Sequence, residues 1–441
     1  MTYLKQVRDI ISNSKYSWDY YGLHYSRSFS NIFNNPNGFI NETFLFAGKK
    51  MLMTTDDYTC VSINTTQARA AHSISSFFLG FILADGLLDN CDEFAKSDRF
   101  SNKSYPFSYI WYLTCLYHDY GYNLEKDTVM SRKISNKIHS AHEQKRVHSA
   151  MNKSPYYYGM YDFRKEYKIR ESIWKKTRSN EYCCRLNNYD NRDCNECRVI
   201  KQIEKFYANT NKKIHINGID LKIPMRTSND ISRYFAYRLL LGNHNGCIDH
   251  GIAGGVIFFD KIIKNYAKSY LQAKKRDHNI CIMEFLNPND YDHKLFFSFD
   301  QLKIFSYISD CIINHNIWKC SCDKIGIYKE FCLDNLIGEK FEKINFYKNP
   351  LLFILVMSDI LEPYKNLNEI NIDGREYNKT EIIQTFGKLN INVINKQIVI
   401  KIHEDLRQQF LQKLRGMVEW INIEFEEIDE GFVIGLNKVT V

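Results

Sequence analysis

The 441-residue sequence has no run of eighteen or more apolar residues, roughly the length a helix needs to span the hydrocarbon core of a bilayer. A membrane-spanning helix is therefore not expected. The opening stretch, MTYLKQVRDIISNSK, lacks the basic-then-apolar layout of a secretory leader. The expectation is a cytoplasmic protein with no membrane partner. In that compartment the thirteen cysteines are expected to be reduced, buried or metal-bound rather than paired in disulfides. No convincing internal repeat runs through the chain, which argues against a repeat array.

Apolar residues make up 44% of the chain and aromatics 15%, so most of it should fold and bury a large core. The length allows two or three domains. The net charge of +8 is unevenly spread: Lys126 to Arg233 holds 24 Lys+Arg against 12 Asp+Glu, a surplus of +12, so the remainder carries about −4. A basic region of this kind suits an anionic partner or substrate such as a nucleotide or a nucleic acid. A solvated basic surface is the other reading.

Residues 1–64 are aromatic, Asn-rich and interrupted by NNPNG; they are read as a segment packed on the core. TTQARAAHSISSFFLGFILADGLL, from Thr65, reads as a helix with Thr65 or Thr66 as its cap and Gly86 near its end. A second helix follows Pro106 and stops at Gly121. Residues 123–235, polar and basic, read as an insertion of helices and loops. Helical character returns at SRYFAYRLLLG. After a turn at Asn245-Gly246, a long helix starts near His250. FDQLKIFSYISDCIINHNIW is a further helix, with His315 near its end. NPLLFILVMSDILEPYK is another, with Asp359 inside it and Pro363 as its stop. The tail, 366–441, changes to short β-branched segments around the amphipathic helix HEDLRQQFLQKLRGMVEWI and reads as a small α+β domain.

The chemistry-bearing residues lie on or at the ends of these helices. His118-Asp119 closes an apolar run, and His72, His250, His315 and Asp359 stand in similar settings. Taken singly, each histidine also fits a hydrogen-bonded core position. A buried carboxylate such as Asp359 is costly without a partner. Imidazole and carboxylate together suit borderline or hard divalent ions: Mn, Fe, Zn, Co, Ni or Mg.

The order H…HD…H…H…D resembles the HD-domain superfamily of metal-dependent phosphohydrolases. The resemblance covers about residues 65–365 and rests on YHDYGY, DHGIAGG, INHNIW and MSDILE. It implies a mainly α protein: an HD-domain helical core with the insertion, followed by the C-terminal α+β appendix. It also implies metal ligation by His72, His118, Asp119, His250, His315 and Asp359, with two ions and Asp119 as the bridge. His118 and Asp119 are then the catalytic doublet. His244 competes with His250 for one position and otherwise fits a phosphate contact. Tyr122 stands where some members place a lysine, which leaves leaving-group protonation unassigned.

The reaction so implied is hydrolysis of a phosphoester, with a nucleotide or cyclic-nucleotide-like substrate, by hydroxide activated by two ions. Arg69, Arg238 and Lys126 are candidate phosphate contacts, and each equally fits a surface charge. Cys183, Cys184, Cys194 and Cys197 offer a doublet and a C-x2-C, a poor match to the two spaced pairs of a structural zinc; incidental thiols fit better. His139, His142 and His148 fit a solvated helical face. Two further readings stay open. One is a nuclease whose basic, Tyr-rich insertion tracks single-stranded nucleic acid. The other is a non-catalytic regulatory module on the same fold. An oligomer is compatible with all three.

Overall fold

The computed structural model describes residues 63–96, 104–119, 121, 195–208, 213–241, 249–286, 299–362 and 389–437. In chain order they form α1 (Ile63–Leu87), β1 (Ala95–Lys96), β2 (Ser104–Tyr105), α2 (Phe107–His118), α3 (Asn195–Ala208), β3 (Lys213–Ile216), β4 (Ile219–Lys222) and α4 (Ser228–Leu241). There follow α5 (His250–Arg276), α6 (Ile282–Leu286), α7 (Phe299–Asn314), α8 (Ile325–Glu330) and α9 (Pro350–Leu361). The tail contributes β5 (Leu389–Ile394), β6 (Gln397–Ile402), α10 (Glu404–Met417), β7 (Ile423–Ile428) and β8 (Gly431–Leu436). Among the described residues, no helix is long and apolar enough to cross a membrane.

Two four-stranded antiparallel sheets stand among these helices, ordered β2-β1-β3-β4 and β5-β6-β8-β7. They overturn the expectation of a mainly α protein with an all-helical core. The first sheet draws β3 and β4 from residues that the sequence reading gave to helices and loops. The local signal was there: KIHINGIDLK is β-branched on both sides of Asn-Gly, the strongest short hairpin cue. Asn217 (φ 46°) and Gly218 (φ 80°) both take the left-handed backbone that such a turn requires. Ile214 and Ile216 point inward from β3.

The chain divides into two compact units. The first comprises 1–116, 215–221 and 342–441. Within it α1 packs on α9 and on β5. Its core is aromatic: Phe107 stacks on Trp111, and Phe77, Phe81 and Phe107 meet edge to face, the arrangement that ring quadrupoles favour. The indole N–H of Trp111 donates to the Phe77 carbonyl at 2.8 Å. A Cβ at Gly80 would fall 2.0 Å from the Trp111 ring, so the indole lies flush against α1 only because position 80 has no side chain. Helix α9 starts cleanly: Asn349 accepts the Leu352 N–H at 3.1 Å and Pro350 occupies the first turn. In the tail sheet Ile398, Ile400 and Ile402 are buried while Gln397 and Lys401 face out, as a sheet covered on one side requires. Leu406, Phe410, Leu414 and Met417 of α10 are buried as well.

The second unit comprises 117–214 and 222–341. Its spine is α5, which packs along α7 and carries α3 on another side. Asp249 caps α5 by accepting the Ile252 N–H at 2.9 Å. The α5–α7 approach depends on glycine: a Cβ at Gly255 would lie 2.6 Å from the Ser309 carbonyl oxygen. Lys274, Lys275 and Arg276 occupy the last turn of α5, where cations offset the partial negative charge of a helix C-terminus.

Candidate metal centre

Four of the residues singled out from the sequence meet inside the second unit. His118 is the last residue of α2 and Asp119 follows it; His250 opens α5; His315 follows the end of α7. Each therefore sits where a helix begins or stops. Asp119, His250 and His315 each offer a ligand atom, and these atoms all lie within 4.8 Å of one another, a group that could hold a metal ion. His118 Nε2 lies 3.4 Å from Asp119 Oδ1, and the His118 and His315 rings are 5.7 Å apart. The histidines are buried: His118 is 0% exposed, His315 4% and His250 6%.

Close backbone approach makes the convergence possible. A Cβ at Gly121 would fall 2.0 Å from the His250 carbonyl oxygen, and one at Gly254 would fall 2.9 Å from the Tyr117 carbonyl oxygen. The chain leaving His118-Asp119 thus lies directly on the first turn of α5. The small residues after His250 serve this contact.

Side-chain partners fix the ring chemistry. His315 Nδ1 sits 2.5 Å from the Ile312 carbonyl oxygen, which only accepts, so Nδ1 carries the proton and Nε2 the lone pair. That is the tautomer an imidazole needs to ligate a metal through Nε2. Asp249, fully buried, accepts from the Asn316 amide at 2.7 Å and lies 3.2 Å from Arg238 Nε. Arg238, read from the sequence as a substrate contact, thus faces a buried carboxylate through Nε. Nearby, burial pushes the Tyr234 hydroxyl well above its usual range, and the Asp249 charge adds to that.

The first unit holds His72 and Asp359. His72 on α1 is buried, with Nε2 3.0 Å from Asp359 Oδ1 on α9. Its Nδ1 lies 2.8 Å from Glu362 Oε1, and Glu362 is fully buried. The ring is thus held between two carboxylates, Glu362 at Nδ1 and Asp359 at Nε2. Sequence reasoning missed Glu362, Asp249 and Asn316. The signals were modest: a glutamate one turn beyond Asp359 in MSDILEP, an aspartate before His250, and an asparagine after His315.

The remaining candidates fall elsewhere. Arg69 lies on α1 and Cys197 on α3, but their side chains are outside the described residues. His244, Lys126, Cys183, Cys184, Cys194, His139, His142 and His148 also lie outside them. No family model matches the chain, and no curated protein or solved structure matches it.

Proposed function

We propose that the protein is a divalent-metal-dependent phosphohydrolase acting on a nucleotide or a cyclic-nucleotide-like phosphoester. The observation that carries this reading is the meeting of Asp119, His250 and His315 within 4.8 Å, with His118 beside Asp119. These are the same residues that the HD-type order H…HD…H…H…D picks out. In this reading His72 and Asp359 complete the H…HD…H…H…D order along the chain.

The donor chemistry fits. His315 has an acceptor on Nδ1 and so keeps the Nε2 lone pair available, while His72 lies between two carboxylates, Glu362 at Nδ1 and Asp359 at Nε2. Carboxylates at Asp119 and Asp359 offset cationic charge. When bound, the ions supply Lewis acidity toward phosphate oxygens and lower the pKa of water. The protein's own part is to hold Asp119, His250 and His315 at helix ends and to bury the histidines away from bulk solvent. Basic residues of the Lys126–Arg233 region would supply long-range attraction for the anion.

The test is metal content together with phosphate release. Purified protein supplemented with Mn²⁺ is expected to hold about two ions per chain, lost together in His118→Ala. It is expected to release phosphate from a panel of nucleotides, including cyclic ones. No bound ion after supplementation would sink the reading. Bound ions without hydrolysis of any phosphoester would favour a regulatory module, and steeply salt-dependent polynucleotide binding would favour a nuclease.

Glu362 provides a second check. Removing a carboxylate that orients a ligating histidine weakens metal binding by about 10–100-fold. Glu362→Gln is expected to do so in a calorimetric Mn²⁺ titration of chelator-treated protein, with rescue of activity at high Mn²⁺. An unchanged affinity would remove Glu362 from this role.

A further inference from the structure

Among the described residues, the large apolar side chains that reach solvent are Met283, Trp318 and Ile394. Single exposed apolar residues are common. Trp318 differs in its place, because it follows His315 by three residues. Three residues of fully extended chain span at most about 11 Å, so the backbone that carries the indole stays close to the metal centre.

The residue is also held at two points. Its indole N–H donates to Asn316 Oδ1 at 2.7 Å, and the Asn316 amide donates to Asp249 Oδ2 at 2.7 Å. Asp249 caps α5, the helix that His250 opens. The Trp318 backbone N–H donates to the Tyr234 hydroxyl at 3.3 Å. Tyr234 is itself buried on α4 and packs against Tyr237 and Tyr328. The indole is thus tied through its nitrogen to the cap of α5 and through its backbone to α4, yet Trp318 remains 44% exposed. A fixed ring with open area suits a planar ligand: little side-chain freedom is lost on stacking, and every nucleobase has a face to offer.

We infer that Trp318 is the base-recognition platform of the substrate site: the nucleobase stacks on its indole while the phosphate sits at the Asp119–His250–His315 centre. The inference rests on the phosphohydrolase reading and deepens it, because it commits the substrate to a phosphoester that carries a base. The pentose between base and phosphate supplies the span between ring and centre. Stacking gives affinity without reading which base is present. Trp318 therefore selects nucleotides over simple phosphate esters, rather than one nucleotide over another.

The test uses the whole chain supplemented with Mn²⁺ and two phosphonates whose P–C bond resists hydrolysis. One is the analogue of adenosine monophosphate; the other is the analogue of ribose phosphate, which lacks the base. The adenosine analogue is expected to quench indole emission and the ribose analogue to leave it unchanged, with the quench absent in Trp318→Phe. Calorimetric affinity for the adenosine analogue is expected to fall about 10-fold in Trp318→Leu and under about 3-fold in Trp318→Phe, as loss or retention of one stacking face implies. Affinity for the ribose analogue should stay within about 2-fold in both, since no stacking is at stake.

Both variants lose the indole N–H bond to Asn316, so the difference between them isolates the ring face. Equal losses in the two variants, equal losses for the two ligands, or no quench at saturation overturns the inference, as does failure of the adenosine analogue to bind. Should Trp318→Leu not fold, the quench in the unsubstituted protein and its absence in Trp318→Phe still decide. Hydrolysis is scored separately. Binding through Trp318 with no phosphate released from any ester removes the phosphohydrolase reading and leaves the platform. Turnover of every nucleotide unchanged by Trp318→Leu does the reverse.

Discussion

Asp119→Asn is expected to lower kcat/KM for phosphoester hydrolysis by about 10³-fold or more, equivalent to about 4 kcal/mol of transition-state stabilisation. The substitution is nearly isosteric, so it isolates charge from shape. In the structure Asp119 has a ligand atom within 4.8 Å of those of His250 and His315, and its Oδ1 lies 3.4 Å from His118 Nε2. An amide there keeps one oxygen as a weak neutral donor but no longer offsets the charge of an ion. Metal content should fall together with rate. The fold should survive, because Asp119 follows the end of α2 and is only partly buried; circular dichroism and the melting temperature of the metal-free variant check this. A variant that keeps its ions and its rate to within about 3-fold would remove Asp119 from the centre, since that is under 1 kcal/mol.

The second large effect is on stability and comes from a residue outside the centre. Asp310, on α7, is fully buried. Burial raises its carboxyl to about 7, against the lowering influence of the Met225 N–H, the Arg226 charge and the Asn314 amide. Its Oδ2 accepts the Met225 N–H at 2.9 Å and its Oδ1 accepts the Asn314 amide at 3.0 Å. In the unfolded chain the group returns to about 3.8. Between these values the native state holds a proton that the unfolded state has lost. Stability from this group is therefore greatest at low pH and declines as pH rises from about 4 to about 7. The shift corresponds to about 4 kcal/mol at full extent.

Asp310→Asn keeps a carbonyl for the Met225 N–H and has no charge to bury. It is expected to match the unsubstituted protein near pH 4.5, within about 1 kcal/mol, and to exceed it at pH 8 by a large part of that difference. Parallel denaturant unfolding curves across pH check it. A difference between the two proteins that does not change with pH would show that Asp310 does not titrate in this range.

The pieces of the centre were legible in the sequence because they are local. His118-Asp119 ends an apolar run, His250 opens a glycine-rich helix, and His315 follows FSYISDCIIN. Helix ends follow from caps, prolines and periodicity, which act within a few residues. The first sheet is legible in the sequence at its Asn217-Gly218 turn. Its β1 and β2 are only two residues each, too short to show alternation. The basic composition around β3 and β4 also favoured a loop reading.

By itself, the sequence determined the inventory: which donor types exist, in what order, and on which helix ends. Tertiary structure alone decided what each nitrogen and carboxylate does. Asp310 becomes a titrating group because the 222–227 segment and α7 enclose it. Glu362 meets the His72 ring from 290 residues away, and Asn316 meets Asp249 and His250 across 67 and 66 residues. These neighbours are brought in by packing between distant elements, and no local pattern of residues encodes them.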